Sequence, residues 1–145
     1  MGGSALVPDN NTIVTVASVI SGFGSTLLVF RIQRELQMQS QSELIWIPWA
    51  DWLLFAAVFL SLLVALLPLL AGFPFATRMA SAACTVAIVL VAGYVPAILA
   101  HYRLIFSGKR CGPRNNPEPS ERWLVLMFGV VGLAAGFYVG MRNLW

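Results

Sequence analysis

The sequence has few charged residues, and it has none over four long stretches. Asp, Glu, Lys and Arg together make up 10% of the chain, whereas a typical globular domain contains roughly 25%. All of them lie outside four uncharged runs of 21, 26, 24 and 19 residues. A helix needs about 20 apolar residues to cross the hydrocarbon core of a bilayer. Each run is therefore long enough, or nearly so, to span a membrane once. The runs are 10–30, 52–77, 79–102 and 123–141.

Histidine and cysteine are also scarce, and this excludes several kinds of site. His101 is the only histidine, so the chain offers no second imidazole for a haem or a metal ion. Cys84 lies within an apolar run and Cys111 in a polar loop, so we predict neither a disulfide nor a C-x-x-C redox pair. With His101 as the sole base and no nearby acid, no catalytic triad is predicted. We therefore predict no metal, no cofactor and no enzymatic activity.

The uncharged runs predict the fold class and the domain organisation. We expect an all-α integral membrane protein, with a single domain (1–145) that forms a bundle of four transmembrane helices. The predicted spans are about 12–30, 52–73, 80–102 and 123–141.

Two predicted loops carry most of the basic residues. The loops 31–51 and 103–122 hold seven Lys and Arg residues, whereas the other side holds two, Arg78 and Arg142. Cytoplasmic loops carry an excess of positive charge, so both loops are predicted to be cytoplasmic and both termini non-cytoplasmic, in the plasma (inner) membrane. The net charge of +3 is spread over these loops, and no helix carries a basic stripe that would indicate nucleic-acid binding.

Small residues recur at helical spacing in the first and the fourth run. Such stripes allow two helix backbones to approach closely, so we predict helix packing there, and Gly136→Leu is expected to disrupt an assembly. The pattern does not determine whether the partner helix belongs to this chain or to another copy. The predicted packing residues are Ser18 and Gly22 in the first run, and Gly129, Gly132, Gly136 and Gly140 in the fourth.

Polar residues at the ends of the runs have simpler explanations than a site. His101, Tyr102 and Arg103 form a weak candidate polar cluster, although a cationic group at a helix C-terminus is common. Asp51 is predicted to be the N-cap of the second span, and Glu121 is predicted to help cap the fourth. Neither carboxylate is predicted to be functional.

These observations leave two functions from different classes. We prefer a non-enzymatic multi-pass membrane protein that acts as a subunit or scaffold and packs through its small-residue helix faces. The alternative is a small homo-oligomeric pore, channel or transporter, lined by the hydroxyl-bearing first span or by the glycine face. The absence of an acidic or basic residue within any run argues against an ion-coupled mechanism. The predicted partners are the lipid bilayer and either further copies of this chain or another membrane protein.

Overall fold

The computed structural model describes residues 8–39, 48–102, 105 and 119–142, and that part of the chain is helical and contains no strand. Because α2, a π-helical segment and α3 follow one another without a break, the described residues form four long helices. Each is long and apolar enough to cross a membrane, which confirms the predicted all-helical fold with four apolar helices. The elements are α1 (Asn10–Gln39), α2 (Trp49–Phe59), the π-helical segment (Leu60–Leu66), α3 (Leu67–Leu70), α4 (Ala76–His101) and α5 (Pro119–Arg142).

The second long helix changes its winding before a proline. The π-helical segment ends at Leu66, and the N–H of Leu67 bonds to the carbonyl of Leu62, five residues back. Pro68 follows, and it has no N–H to donate, while its ring crowds the carbonyl four residues back in an ordinary α-helix. The wider spacing of a π-helix is a known way to accommodate such a disturbance.

A tight turn joins this helix to α4. Gly72 has a φ of 70°, which is the left-handed conformation that favours glycine at the end of a helix. The N–H of Gly72 bonds to the carbonyl of Leu69 at 3.2 Å, and that of Phe73 bonds to Pro68 at 3.2 Å. These two bonds form a Schellman motif, which satisfies carbonyls at the helix end. The helices on either side of the turn are therefore held close together.

The first helix has a side-chain cap at its start. Asp9 Oδ1 accepts a hydrogen bond from the N–H of Thr12 at 3.1 Å, and the carbonyl of Asp9 accepts from Ile13 at 3.1 Å. Hydrogen bonding to the side chain and then to the backbone of Thr12 lowers the pKa of Asp9. A carboxylate at this position is favoured because it satisfies a free N–H of the first turn.

The helix α4 lies at the centre of the structure. It packs against α1, α2, the π-helical segment and α5. The buried face of α4 consists largely of small residues, which allow its neighbours to come close. A Cβ on Gly93 would clash with the ring of Phe128, and one on Gly136 would clash with Val86. The close approach of α4 and α5 therefore depends on glycine in both helices.

Candidate functional site

A cluster of buried polar side chains lies at one end of the bundle, where α4 ends and where α2 and α5 begin. We call it the polar layer and define it by five residues. Each of the four long helices contributes at least one of them, and none of the five is exposed. The residues are Arg31 from α1, Asp51 from α2, His101 and Tyr102 from the end of α4, and Glu121 from α5.

Arg31 connects three of the helices. Its Nε lies 3.3 Å from Oδ1 of Asp51, and its Nη1 donates a hydrogen bond to the hydroxyl of Tyr102. Its guanidinium carbon also lies 5.5 Å from the centre of the Tyr102 ring, and that of Arg34 lies 5.0 Å from the same centre. The planar guanidinium suits this arrangement because it can donate in several directions and stack on an aromatic ring.

Glu121 is fully buried, and both of its carboxylate oxygens are hydrogen-bonded. Oε1 accepts a bond from the backbone N–H of Ala50 at 2.9 Å, and Oε2 lies 2.9 Å from Nδ1 of His101. Ala50 lies in the first turn of α2, where N–H groups have no partner within their own helix. Glu121 therefore acts as a cap for a helix other than its own and ties α5 to α2 and α4.

The Glu121 contact determines the orientation of the imidazole. When the carboxylate of Glu121 is ionised it can only accept hydrogen bonds, and Nδ1 of His101 then carries the hydrogen of this bond. The ring of His101 also packs edge-on against that of Tyr102, with 5.1 Å between their centres. The polar layer contains one arginine and two carboxylates, so its formal charge is zero when His101 is protonated and −1 when it is neutral.

Two predicted helix caps were wrong. Asp51 is not the N-cap of its helix, because α2 begins after Pro48 and Asp51 lies within the first turn, where it is paired with Arg31. Glu121 lies in the first turn of α5, but its carboxylate caps α2 rather than its own helix. In both cases the carboxylate meets partners from other helices: Arg31 for Asp51, and Ala50 and His101 for Glu121.

The acid beside His101 was not predicted. The prediction that no acid lies near the histidine was wrong, because Glu121 is 20 residues away in sequence but in hydrogen-bond contact. A signal for this was present: Arg31, Asp51, His101 and Glu121 all lie at or just beyond the ends of the uncharged runs. These run ends meet at one level when consecutive helices are antiparallel. Opposite charges there would be expected to pair.

The candidate cluster of His101, Tyr102 and Arg103 is only partly within the described structure. His101 and Tyr102 both belong to the polar layer, whereas Arg103 lies outside the described residues.

The six small residues predicted to pack helices lie in two different environments. A Cβ on Gly132 would lie 3.5 Å from Val86, and Gly136 also faces Val86, so these two positions lie against α4 of the same chain. The other four have no such neighbour in the described part of the chain, since a Cβ on Gly22, Gly129 or Gly140 would meet nothing within 4 Å and Ser18 is exposed. The sequence pattern does not distinguish these two groups.

An imidazole that is held by a carboxylate can act as a general base when a nucleophile is hydrogen-bonded to it. No serine, threonine or cysteine among the described residues is hydrogen-bonded to His101. Ser61 has a fully buried hydroxyl without a partner in the described structure, but it lies ten residues after Asp51, about 15 Å further along the helix. No group of three or more metal-binding side chains occurs among the described residues either. The described contacts of the polar layer are bonds that link one helix to another.

Comparison with known proteins adds no family to this description. Searches of protein families, of curated proteins and of solved structures found no match to this chain.

Proposed function

We propose that this protein spans a bilayer four times and acts as a non-enzymatic subunit or scaffold that packs against another membrane helix through the small-residue face of α1. That face is formed by Ser18, Gly22 and Thr26, and it carries the proposal because all three residues are exposed. A Cβ on Gly22 would have nothing within 4 Å, so a partner backbone has room to approach.

The hydroxyl groups of α1 support packing rather than a polar lining. The hydroxyl of Thr26 donates to the carbonyl of Gly22 at 2.8 Å, and that of Thr15 donates to Asn11 at 2.8 Å. Their donors are therefore satisfied within their own helix. A pore lined by α1 would need these donors to face water and ions, which is why we prefer a subunit or scaffold to a pore.

The polar layer supports a non-enzymatic role. Both oxygens of Glu121 are used to hold other helices, and Asp51 is paired with Arg31. A carboxylate committed to structural bonds is not free to move a proton to or from a substrate.

The proposed orientation rests on the distribution of basic residues. Seven lie in the segments 31–51 and 103–122, and two lie on the other side. The polar layer is then at the cytoplasmic face of the plasma (inner) membrane, and both termini are on the far side.

The experiment compares Gly22→Leu with Val19→Leu in native detergent extracts. Val19 is 63% exposed on the same helix and already carries a branched side chain, so it is a matched control. We expect the wild type and Val19→Leu to migrate as a complex heavier than one chain. Gly22→Leu is expected to migrate as a single chain, because its side chain forces the partner helix away.

An unchanged complex with Gly22→Leu would contradict the proposed packing face, and a wild type that migrates as one chain would contradict the subunit role. Ion flux into vesicles reconstituted with the wild type, above that into empty vesicles, would support the alternative of a pore.

A further inference from the structure

An apolar groove runs along the outside of the bundle, with walls formed by α2 and α5 and a floor formed by α4. It has a volume of about 510 Å³, which lies within the range of roughly 300–1,000 Å³ that is usual for ligand pockets. Its buried lining includes Leu53 and Leu90, whereas its rim is exposed and includes Trp52 and Leu133. The lining contains no charged residue.

We propose that this groove holds one acyl chain of an anionic phospholipid, with the phosphate of that lipid against Arg122. The proposal depends on the chain being inserted in a bilayer, but it does not depend on the proposed role as a subunit.

The length of the groove matches one leaflet. On α2 and the π-helical segment its lining runs from Trp52 to Leu60, and on α5 from Val125 to Leu133, and each stretch is about 12 Å long at 1.5 Å per residue. Half of a hydrocarbon core about 30 Å thick is about 15 Å. An acyl chain of one leaflet is therefore long enough to fill the groove from end to end.

Glycine provides the room in the groove. Gly129 lines it, and a Cβ at that position would have nothing within 4 Å. The turns before and after it carry Leu126 and Leu133, whose side chains form the rim. A larger side chain at Gly129 would therefore occupy the groove without disturbing the packing of α5 on α4.

A positive charge lies at the end of the groove next to the polar layer. Arg122 is exposed one turn before Val125, and its guanidinium carbon lies 5.5 Å from the centre of the Trp49 ring. Trp49 is itself one turn before Trp52, so the arginine and two indole rings border the same end. Arginine and tryptophan are the residues that anchor a protein at the headgroup level.

The two acidic side chains that the structure describes near Arg122 are directed elsewhere. The carboxylate of Glu121 is buried and bonds to Ala50 and His101, and Asp51 is paired with Arg31. An anionic headgroup at Arg122 would therefore meet the guanidinium before it meets either carboxylate. A lipid phosphate is well matched to this planar donor.

The test uses native mass spectrometry of the protein released from vesicles that contain phosphatidylcholine and phosphatidylglycerol at equal amounts. We expect the wild type to retain one phospholipid, with phosphatidylglycerol favoured by about fivefold, which corresponds to the attraction of one basic residue to an anionic lipid surface. Gly129→Leu is expected to reduce the retained lipid at least tenfold. The matched control Gly140→Leu, whose Cβ is equally open but which lies outside the groove, should retain lipid like the wild type.

A second pair of variants separates the headgroup from the chain. Arg122→Gln should retain a lipid but lose the preference for phosphatidylglycerol, whereas Arg142→Gln, at the opposite end of the same helix, should keep it. The proposal would be overturned if Gly129→Leu retained as much lipid as Gly140→Leu, or if both headgroups were retained equally by the wild type. A protein that retains no lipid at all would also overturn it, and this result would leave the Gly22 experiment unaffected.

Discussion

The two ends of the bundle are held together in different ways. At one end, the buried polar layer connects all four long helices through Arg31 and Glu121. At the other end, α1 packs on α4 through a cluster of mainly small apolar residues. Two side-chain hydrogen bonds join α1 to α4 there among the described contacts: Thr77 donates to Asn10 at 3.0 Å, and Sγ of Cys84 donates to the carbonyl of Ile13 at 3.9 Å. The small-residue cluster consists of Ile13, Ala17, Ala65, Ala80, Ala83 and Cys84.

The difference follows from how the chain connects the helices at each end. At the small-residue end, the five residues 71–75 join α3 directly to α4, so the backbone itself keeps these helices adjacent. At the polar end, nine residues separate α1 from α2 and seventeen separate α4 from α5. Closing a longer connection costs more conformational entropy, and the side-chain bonds of the polar layer join these helix ends.

The comparison also shows the limits of a buried charge as a source of stability. Burying an ion pair costs desolvation that its own attraction only partly offsets, but removal of one partner leaves the other charge uncompensated. The polar layer is therefore expected to specify one arrangement of the helix ends, and its loss is expected to be costly. Truncation of a side chain in the small-residue cluster leaves no uncompensated charge, because none of the residues of that cluster is charged.

The largest effect is expected for Glu121→Ala. This change leaves the N–H of Ala50 and the imidazole of His101 without their buried acceptor, and loss of one partner from a buried pair typically costs about 3–5 kcal/mol. The free energy of unfolding would be measured by titration of detergent-solubilised protein with SDS, followed by circular dichroism. Glu121→Gln, which keeps an acceptor oxygen for Ala50, should lose less. A loss below about 1 kcal/mol for Glu121→Ala, the level of an exposed ion pair, would contradict the role of the polar layer.

A smaller effect is expected from the pair of Arg31 and Asp51. Arg31→Met and Asp51→Ala would be combined in a double-mutant cycle, and we expect a coupling of about 1–3 kcal/mol because the two side chains are in contact and buried. The control cycle combines Asp51→Ala with Arg142→Met, whose side chain is at the opposite end of the bundle. That control should be additive to within about 0.5 kcal/mol. Equal coupling energies in the two cycles would contradict a specific interaction between Arg31 and Asp51.

The smallest effect is expected at the other end, for Thr77→Val. This change removes the bond to Asn10 while it keeps the shape of the side chain, and the bond is exposed. Hydrogen bonds between membrane helices are worth about 0.6 kcal/mol on average, so the free energy of unfolding should fall by that amount. A loss as large as that of Glu121→Ala would remove the contrast between the two ends.

The role of a glycine was also decided by the tertiary structure. Gly132 and Gly136 lie against α4, while Gly140, four residues further on, has nothing near its Cβ. The four-residue spacing is the same for all three glycines. They differ only in whether α4 lies against that part of α5. A Cβ on Gly24 would clash with Val58, and one on Gly93 would clash with Phe128, although no repeat in the sequence marks these two positions.

The sequence by itself determined the four long helices, because the absence of charge over about 20 residues is a local property that only a long apolar helix explains well. It also determined the level of the charged residues, which border the uncharged runs. The tertiary structure alone decided which of them meet. Glu121 accepts a hydrogen bond from Ala50, and Arg31 donates one to Tyr102. In each pair the two residues are 71 positions apart. Such pairs depend on the packing of separate helices, whereas the sequence pattern of each helix indicates only its own ends and its buried face.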